Sequence, residues 1–212
     1  MFPRMNEKPK SKLQQDGGAA GLATLIERAG ASGKGLPPVD KWDPPFCGDI
    51  DMEIRRDGTW FYMGTPIGRM PLVKLFASVL RKDEDGKTYL VTPVEKVGIR
   101  VEDAHFLAVE MHSRVENREQ VLTFRTQTGD LVEAGPDHPL RFVTAPGNEG
   151  VKPYVHVRGR LEALLSRSVM YELVALGEEM EIGGRVMYAV KSKGEVFPIM
   201  PADELSRRVS QG

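Results

Sequence analysis

Apolar and polar residues alternate with a period of two along most of the chain, which is the pattern of β-strands that bury one face. Residues 52–62 alternate on either side of an Asp57-Gly58 pair, and residues 88–101 form a second alternating stretch. Asp-Gly between alternating segments is a strong hairpin signal. The sequence therefore predicts two hairpins in its first half and a β-rich protein overall.

Strands continue after residue 105, and a few segments have a helical period instead. The predicted later strands are 107–111, 120–126, 140–143, 154–157, 169–175, 186–190 and 196–199. Residues 70–80 carry apolar side chains at i, i+3 and i+4 with Pro71 in the first turn, which favours a helix. Residues 160–165 predict a second short helix, and residues 18–29 a third near the N-terminus.

The order of these elements indicates an internal duplication. Each half is predicted to run strand, Gly-Arg, helix and hairpin, with the joints at Gly68-Arg69 and Gly159-Arg160. We expect an α+β protein of two similar β-rich halves with one helix each. The predicted divisions are a mobile N-terminal segment with a short helix, two halves and a polar tail, with bounds 1–35, 36–103, 104–200 and 201–212.

Composition and charge narrow the classes of function. Lys and Arg total 29 and Asp and Glu total 30 in 212 residues, so the net charge is −1 and nucleic acid is not an expected partner. No apolar run approaches the roughly 20 residues that span a bilayer. Cys47 is the one cysteine, which favours a reducing compartment and a cytoplasmic protein. Export is the open alternative, since residues 29–31 (AGA) resemble a signal-peptidase site.

The motifs of metal, cofactor and nucleophile chemistry are missing from the sequence. Residues 30–35 (GASGKG) resemble a phosphate-binding loop, but Arg28 stands where its first glycine is required and Gly35 where it needs Ser or Thr. The four histidines have no metal-ligand spacing and are interpreted as surface or hydrogen-bonded side chains. We therefore expect no metal, no cofactor and no catalytic residue.

Cations near the two Gly-Arg joints are the best candidates for a binding site. The first turn of a helix has unpaired N–H groups and a partial positive charge, so an adjacent arginine completes an anion-binding arrangement. The predicted cluster is Arg69, Lys96, Arg158 and Arg167, all facing one cleft between the halves. The alternative is a purely structural role, in which these cations form ion pairs with Glu95, Glu102 and Glu162.

The chain resembles a bacterial family, the domain of unknown function numbered 1285. The segments that carry the resemblance are LPPVDKW (36–42), DGTWFYMGTPIGR (57–69), LVTPVEKVGIRVEDAHF (90–106), PYVHVRGRLEALLSR (153–167) and KSKGEVFPI (191–199). The resemblance implies a duplicated core whose second half is superficially pleckstrin-homology-like. It also implies a ligand between the halves, with a nucleotide-like molecule as one candidate, and a role in signal transduction.

Non-catalytic binding of a small anionic ligand between the halves is the function that these observations favour. The alternatives are a protein-interaction module without a small ligand and an enzyme that uses Glu95 or Glu162 with an arginine. The residues that the family motifs assign to the ligand site are Trp60, Arg69, Thr92, Glu95, Lys96, Arg158, Glu162 and Arg167.

Overall fold

The computed structural model describes residues 35–144 and 150–209. The helix predicted over residues 18–29 lies outside these ranges. The described chain is mostly β, and it forms two six-stranded sheets, one in each half, and a three-stranded sheet near its C-terminal end. The α+β class predicted from the sequence is compatible with this architecture.

The first sheet holds both hairpins that the sequence predicts. Its strands follow the order β3-β2-β1-β6-β5-β4, and β1 lies parallel to β6. Helix α1 (Met70–Ser78) connects β3 to β4, as the apolar stripe predicts. The strands are β1 (Phe46–Ile54), β2 (Trp60–Tyr62), β3 (Thr65–Pro66), β4 (Leu80–Lys82), β5 (Thr88–Val91) and β6 (Lys96–Val101).

The second sheet repeats this strand order. It runs β9-β8-β7-β12-β11-β10, and its first and last strands in the chain, β7 and β12, also lie parallel to each other. Each sheet thus joins two three-stranded antiparallel meanders side by side, so the organisation is duplicated. The strands are β7 (Phe106–Glu116), β8 (Glu119–Thr126), β9 (Leu131–Glu133), β10 (Leu140–Thr144), β11 (Val151–Arg158) and β12 (Leu161–Leu165).

The duplication lies in the strands and not in the helices. The predicted helix at 160–165 is wrong, because these residues form β12 and pair with β7 and β11. Leu161, Ala163 and Leu165 are buried and share one face of the strand, while the turn before them contains Gly159 with a φ of 53°. The leucines of this segment fit both a helical and an extended period, and core packing selects the extended one.

The second helix begins where β12 ends. The strand predicted over residues 169–175 is wrong, because all of it lies within helix α2 (Arg167–Ala175), whose buried residues are Val169 and Leu173. Ser166 caps the helix, because its hydroxyl accepts a hydrogen bond from the backbone N–H of Val169 at 3.4 Å. The helix of the second half therefore follows the sixth strand of its sheet, whereas α1 lies between the third and fourth strands of the first sheet.

Ser166→Ala is expected to lower the free energy of unfolding by about 1 kcal/mol, since it removes the capping acceptor of α2. Chemical denaturation of the purified protein measures this change. Ser113→Ala is the matched control, because Ser113 is an exposed serine on β7 and its replacement is expected to change stability by less than about 0.5 kcal/mol. Equal losses in the two variants would contradict the capping role.

The C-terminal part of the described chain forms the third sheet and a helix. Its strands are β13 (Glu178–Ile182), β14 (Arg185–Ser192) and β15 (Glu195–Pro201), followed by α3 (Ala202–Val209) within the segment predicted as a polar tail. Glu178, Glu179 and Glu181 lie on β13, which is an edge strand of this sheet. Buried Ser192 ties this sheet to the second one, since its hydroxyl donates to Ala134 O at 2.7 Å.

One continuous apolar core joins the two halves. It includes residues of all three sheets, and Trp60 stacks on Phe76 within it at a centroid distance of 6.1 Å. Arg158 crosses between the halves near this core. Its guanidinium pairs with Asp130, donates to the carbonyl of Ala77 on α1 at 2.7 Å and lies over the ring of Phe106.

Candidate functional site

Two neighbouring cavities open where β4 and β5 of the first half approach the second half, and both are lined by Lys82. The larger, which we call the Trp42 groove, has a volume of about 840 Å³. The smaller, which we call the Lys82 cleft, has a volume of about 390 Å³. Its lining residues are Asp49, Ile50, Lys82, Gly86, Lys87, Thr88, Gly98, Ile99, Arg100, Val101, Asp103 and His105.

The charges of the Trp42 groove disfavour an anionic ligand. Five carboxylates and three cations line it, which gives a net charge of −2, and most of its cations are already engaged. Arg81 donates to Asp83 and to the backbone carbonyls of Val39 and Trp42. Arg160 pairs with Glu84 at 2.8 Å. The electrostatics of this groove favour neutral or cationic groups.

Strand register builds the floor of the Lys82 cleft. Lys82 on β4 pairs with Thr88 on β5, and Thr88 pairs with Ile99 on β6, so the three residues form a cross-strand row on one face of the first sheet. Asp49 on β1 and Arg100 on β6 occupy the alternate positions of their strands, so their side chains belong to the other face of the sheet. Arg100 donates instead to Asp51 at 2.9 Å.

His105 closes the cleft from the second half and is itself fully hydrogen-bonded. Its Nδ1 faces the backbone N–H of Glu162 at 3.4 Å and its Nε2 lies 3.1 Å from Thr88 Oγ1, which fits a neutral ring that accepts at Nδ1 and donates at Nε2. Burial, reinforced by the charge of Lys82, lowers the pKa of His105 to about 4. His105 therefore stays neutral at physiological pH and links the halves.

Asp103 has a largely buried carboxylate that accepts its hydrogen bonds from residues outside the cleft. It accepts from Lys152 Nζ at 2.7 Å and from Tyr154 OH at 2.6 Å. Burial alone would raise the pKa of Asp103, but these two hydrogen bonds outweigh it and hold the pKa below its ordinary value. The carboxylate stays ionised and compensated, so it does not neutralise Lys82.

Lys82 is the cation that gives the cleft its chemistry. Its side chain is half-buried on β4, and it makes no ion pair or side-chain hydrogen bond with any residue that the structure describes. Lys87, which is exposed near the mouth, has no such partner within the described ranges either. The charge of Lys82 also acts on the Glu162 carboxylate and helps to lower its pKa, but the two side chains form no ion pair. A half-buried lysine that lacks an ion pair and shares its cleft with Ile50, Ile99 and Val101 is a favourable position for a ligand's anionic group.

The four cations predicted to share one cleft lie in separate places in the structure. Lys96 pairs with Asp83 at 2.9 Å and lies over the ring of Tyr89, and Arg158 pairs with Asp130 between the halves. Arg69 precedes α1 and Arg167 begins α2, and both are exposed. Of these cations, only Arg158 lines a described cavity.

The remaining predicted site residues also lie outside the Lys82 cleft. Trp60 is buried in the core, and its indole nitrogen has no described partner. Thr92 is buried and organises the turn before β6, since its hydroxyl accepts from the backbone N–H of Glu95 at 3.2 Å. One Glu95 carboxylate oxygen is buried without a described partner. Glu162 accepts two hydrogen bonds from Arg141, which hold its pKa below the ordinary value.

Sequence reasoning missed Lys82, Lys87 and Thr88 as site residues. They lie in a polar stretch, RKDEDGKT (81–88), that forms the β4–β5 hairpin. The one available signal was the short strand β4 directly after α1. Leu80 of this strand is buried, and Lys82 stands two residues later on the same face. Nothing in the linear sequence shows that Asp83 forms its ion pairs with Arg81 and Lys96, so that Lys82 has no ion pair with it.

Comparison with known proteins identifies the family. The family model for the N-terminal domain of DUF1285, a domain of unknown function, matches residues 37–104, and the model for its C-terminal domain matches residues 105–199. The chain belongs to the DUF1285 family. The resemblance carried by the five segments in the sequence is thereby confirmed.

A solved DUF1285 structure agrees with this membership. A DUF1285 family protein from Silicibacter pomeroyi DSS-3 is 50% identical, with a TM-score of 0.78 over 86% of this chain and 98% of the other. A DUF1285 family protein from Shewanella baltica OS155 is 30% identical, with a TM-score of 0.46 over 58% of this chain and 90% of the other. A search of curated proteins gives no match.

The described DUF1285 chain contains no helix that is long and apolar enough to cross a membrane. Its two matched domains meet between Ala104 and His105, beside the Lys82 cleft. The junction of the family's two domains thus coincides with the wall of the cavity.

Proposed function

We propose that this DUF1285 protein binds a small anionic ligand in the Lys82 cleft without chemically changing it. The observation that carries the proposal is a half-buried lysine side chain that makes no ion pair with a described carboxylate, in a cavity of about 390 Å³ that the first half lines and His105 of the second half closes. Cavities of roughly 300–1,000 Å³ at domain interfaces are the usual sites of small ligands. A ligand anion would supply the missing counter-charge of Lys82.

The state of the nearby carboxyl groups supports binding over catalysis. Glu162 and Asp103 both have lowered pKa values, because cations and hydrogen-bond donors stabilise their charged forms. A general acid at neutral pH needs the opposite perturbation. His105 has both ring nitrogens committed to neighbouring groups, so the cleft offers a place for charge without an evident proton-transfer pair.

Signal transduction is the biological role that the family resemblance adds to this proposal. Ligand binding beside His105, which joins Thr88 of the first half to Glu162 of the second, would couple occupancy to the relative position of the halves. The pleckstrin-homology likeness of residues 104–200, the domain bounds and the cytoplasmic location remain predictions. So do the ligand roles of the eight residues assigned by motif.

Lys82→Gln is expected to weaken binding of an anionic ligand about tenfold or more, since it removes the charge while keeping a side chain of similar length. A thermal-shift screen of phosphorylated and carboxylated metabolites, adenosine 5′-monophosphate included, identifies a ligand, and isothermal titration then measures its affinity. Lys191→Gln is the matched control, because Lys191 is an exposed lysine of the third sheet paired with Glu178. Equal affinities of wild type and Lys82→Gln would remove the Lys82 cleft from the proposal.

A further inference from the structure

The lining side chains of the Lys82 cleft that lack a hydrogen bond or an ion pair define the class of its ligand. Thr88 is committed to His105, and the two ring nitrogens of His105 are committed to Thr88 and the Glu162 backbone. Asp103 is committed to Lys152 and Tyr154. Of the cations that line the cleft, Lys82 and Lys87 remain available for a strong polar contact, since Arg100 is bound to Asp51. Asp49 also lines the cleft, and its exposed carboxylate lies over Gly98.

Aliphatic side chains form much of the remaining wall. Ile50, Ile99 and Val101 line the cleft and are only partly buried, although they pack against the core on their other side. Ile99 stands in the same cross-strand row as Lys82 and Thr88. An apolar surface that stays partly exposed beside a charge is stabilised when the apolar part of a ligand covers it.

The number and type of cations also discriminate between anions. Phosphate groups are typically bound by arginine forks or by several convergent N–H donors. The one arginine of the cleft, Arg100, is bound to Asp51, and the inner cation is a single lysine ammonium. Lys87 is exposed at the edge of the cleft, so Lys82 is the one partly buried cation without an ion pair among the described residues. A single partly buried ammonium matches the one charge of a carboxylate better than the two charges of a phosphate monoester.

We infer that the Lys82 cleft binds a small organic carboxylate with an apolar body, with the carboxylate on Lys82 and the apolar part against Ile99 and its neighbours. This inference rests on the proposed function and narrows its ligand class. It places short-chain or aromatic carboxylates ahead of sugar phosphates and nucleotides. The polar body of a ribose would leave the aliphatic wall uncovered and would find few free hydrogen-bonding partners among the described side chains.

The test compares hexanoate and acetate, which share a carboxylate and differ in apolar chain, by NMR titration of the full-length protein. Hexanoate is expected to bind wild type at least tenfold more tightly than acetate, because burial of the longer chain is favourable. Lys82→Gln should weaken both. Ile99→Thr should reduce the ratio of the two affinities below threefold, and Ile99→Val should keep the ratio.

Each other outcome has a defined meaning. Equal affinities for hexanoate and acetate, or tighter binding of adenosine 5′-monophosphate than of hexanoate through Lys82, would overturn the carboxylate inference and leave the proposed anion site standing. A hexanoate preference that is the same in wild type and Ile99→Thr would also overturn it, since the chain would then lie elsewhere. Failure of all three probes to perturb the residues around Lys82 would count against both proposals.

Discussion

Arg158→Ala is expected to lower the free energy of unfolding by about 3 kcal/mol, the largest effect among the variants considered. The guanidinium joins Asp130 of the second half to the Ala77 carbonyl of the first, and its side chain is only 21% exposed. Removing one partner of a largely buried ion pair leaves the other charge uncompensated, which typically costs about 3–5 kcal/mol. The low end of that range applies because Asp130 keeps the hydroxyl donors of Thr126 and Thr128.

Thermal unfolding provides the measurement, and a decrease in Tm of roughly 6–12 °C corresponds to this loss in a chain of this size. Arg160→Ala is the matched control, two residues away in the turn that follows β11. Arg160 pairs with Glu84 at side-chain exposures of 55% and 87%, so its removal should change stability by less than about 1 kcal/mol. A double-mutant cycle with Asp130→Ala separates the ion pair from the contact with Ala77. Equal Tm values for Arg158→Ala and Arg160→Ala would show that Arg158 does not tie the halves together.

Lowering the pH from 7 to 5 is expected to destabilise the wild-type protein by about 2 kcal/mol through His105, from a folded pKa of about 4 against about 6.5 unfolded. The folded state favours the neutral ring, so the unfolded state binds more protons in this range. The stability that His105 contributes is present above pH 6.5 and is lost as the pH falls toward 4. Burial is the main cause of the lowered pKa, and Lys82 and Arg158 add to it while the Glu162 carboxylate opposes it.

Urea unfolding of wild type and His105→Asn at pH 7 and pH 5 measures this effect. Asparagine offers an acceptor for the Glu162 N–H but does not titrate, so the variant should lose about 2 kcal/mol less than wild type over the same interval. The readout is the difference between two pH values, which keeps the test valid even if the variant is less stable at both. His112→Asn, an exposed histidine on β7, is the control. A pH dependence that is unchanged in His105→Asn would refute the assignment.

The sequence by itself determined the elements whose stability is local. Asp57-Gly58 sets the first hairpin, where Gly58 has a φ of 81°, and the alternating stretch of residues 88–101 sets the second. Helix α1 follows from its apolar stripe and its proline. The matched segments also sufficed to indicate the family and its duplicated organisation. In each case the deciding contacts lie within a few residues of one another, so the linear pattern contains them.

Tertiary structure decided the identity of β12 and the course of the second half. Residues 161–165 (LEALL) have high helical propensity, but β7 offers a parallel partner and the core accepts every second side chain. Sequence pattern cannot reveal that partner, because β7 lies more than 50 residues earlier. With β12 extended, the second Gly-Arg pair becomes a strand turn, and the symmetry between the two Gly-Arg joints on which the site prediction depended is lost.

Tertiary structure also decided which cations are free. Lys96 and Arg158 find their carboxylates 13 and 28 residues away in sequence, whereas Lys82 finds none among the described residues. The sequence supplied the right types of residue and a near-zero net charge, but not their pairing. Charge pairing depends on distances of a few ångströms between strands that are remote along the chain, because the energy of an ion pair falls with separation and with exposure. The pairing of β4, β5 and β6 and the contact of His105 with Thr88 therefore fixed the location of the Lys82 cleft.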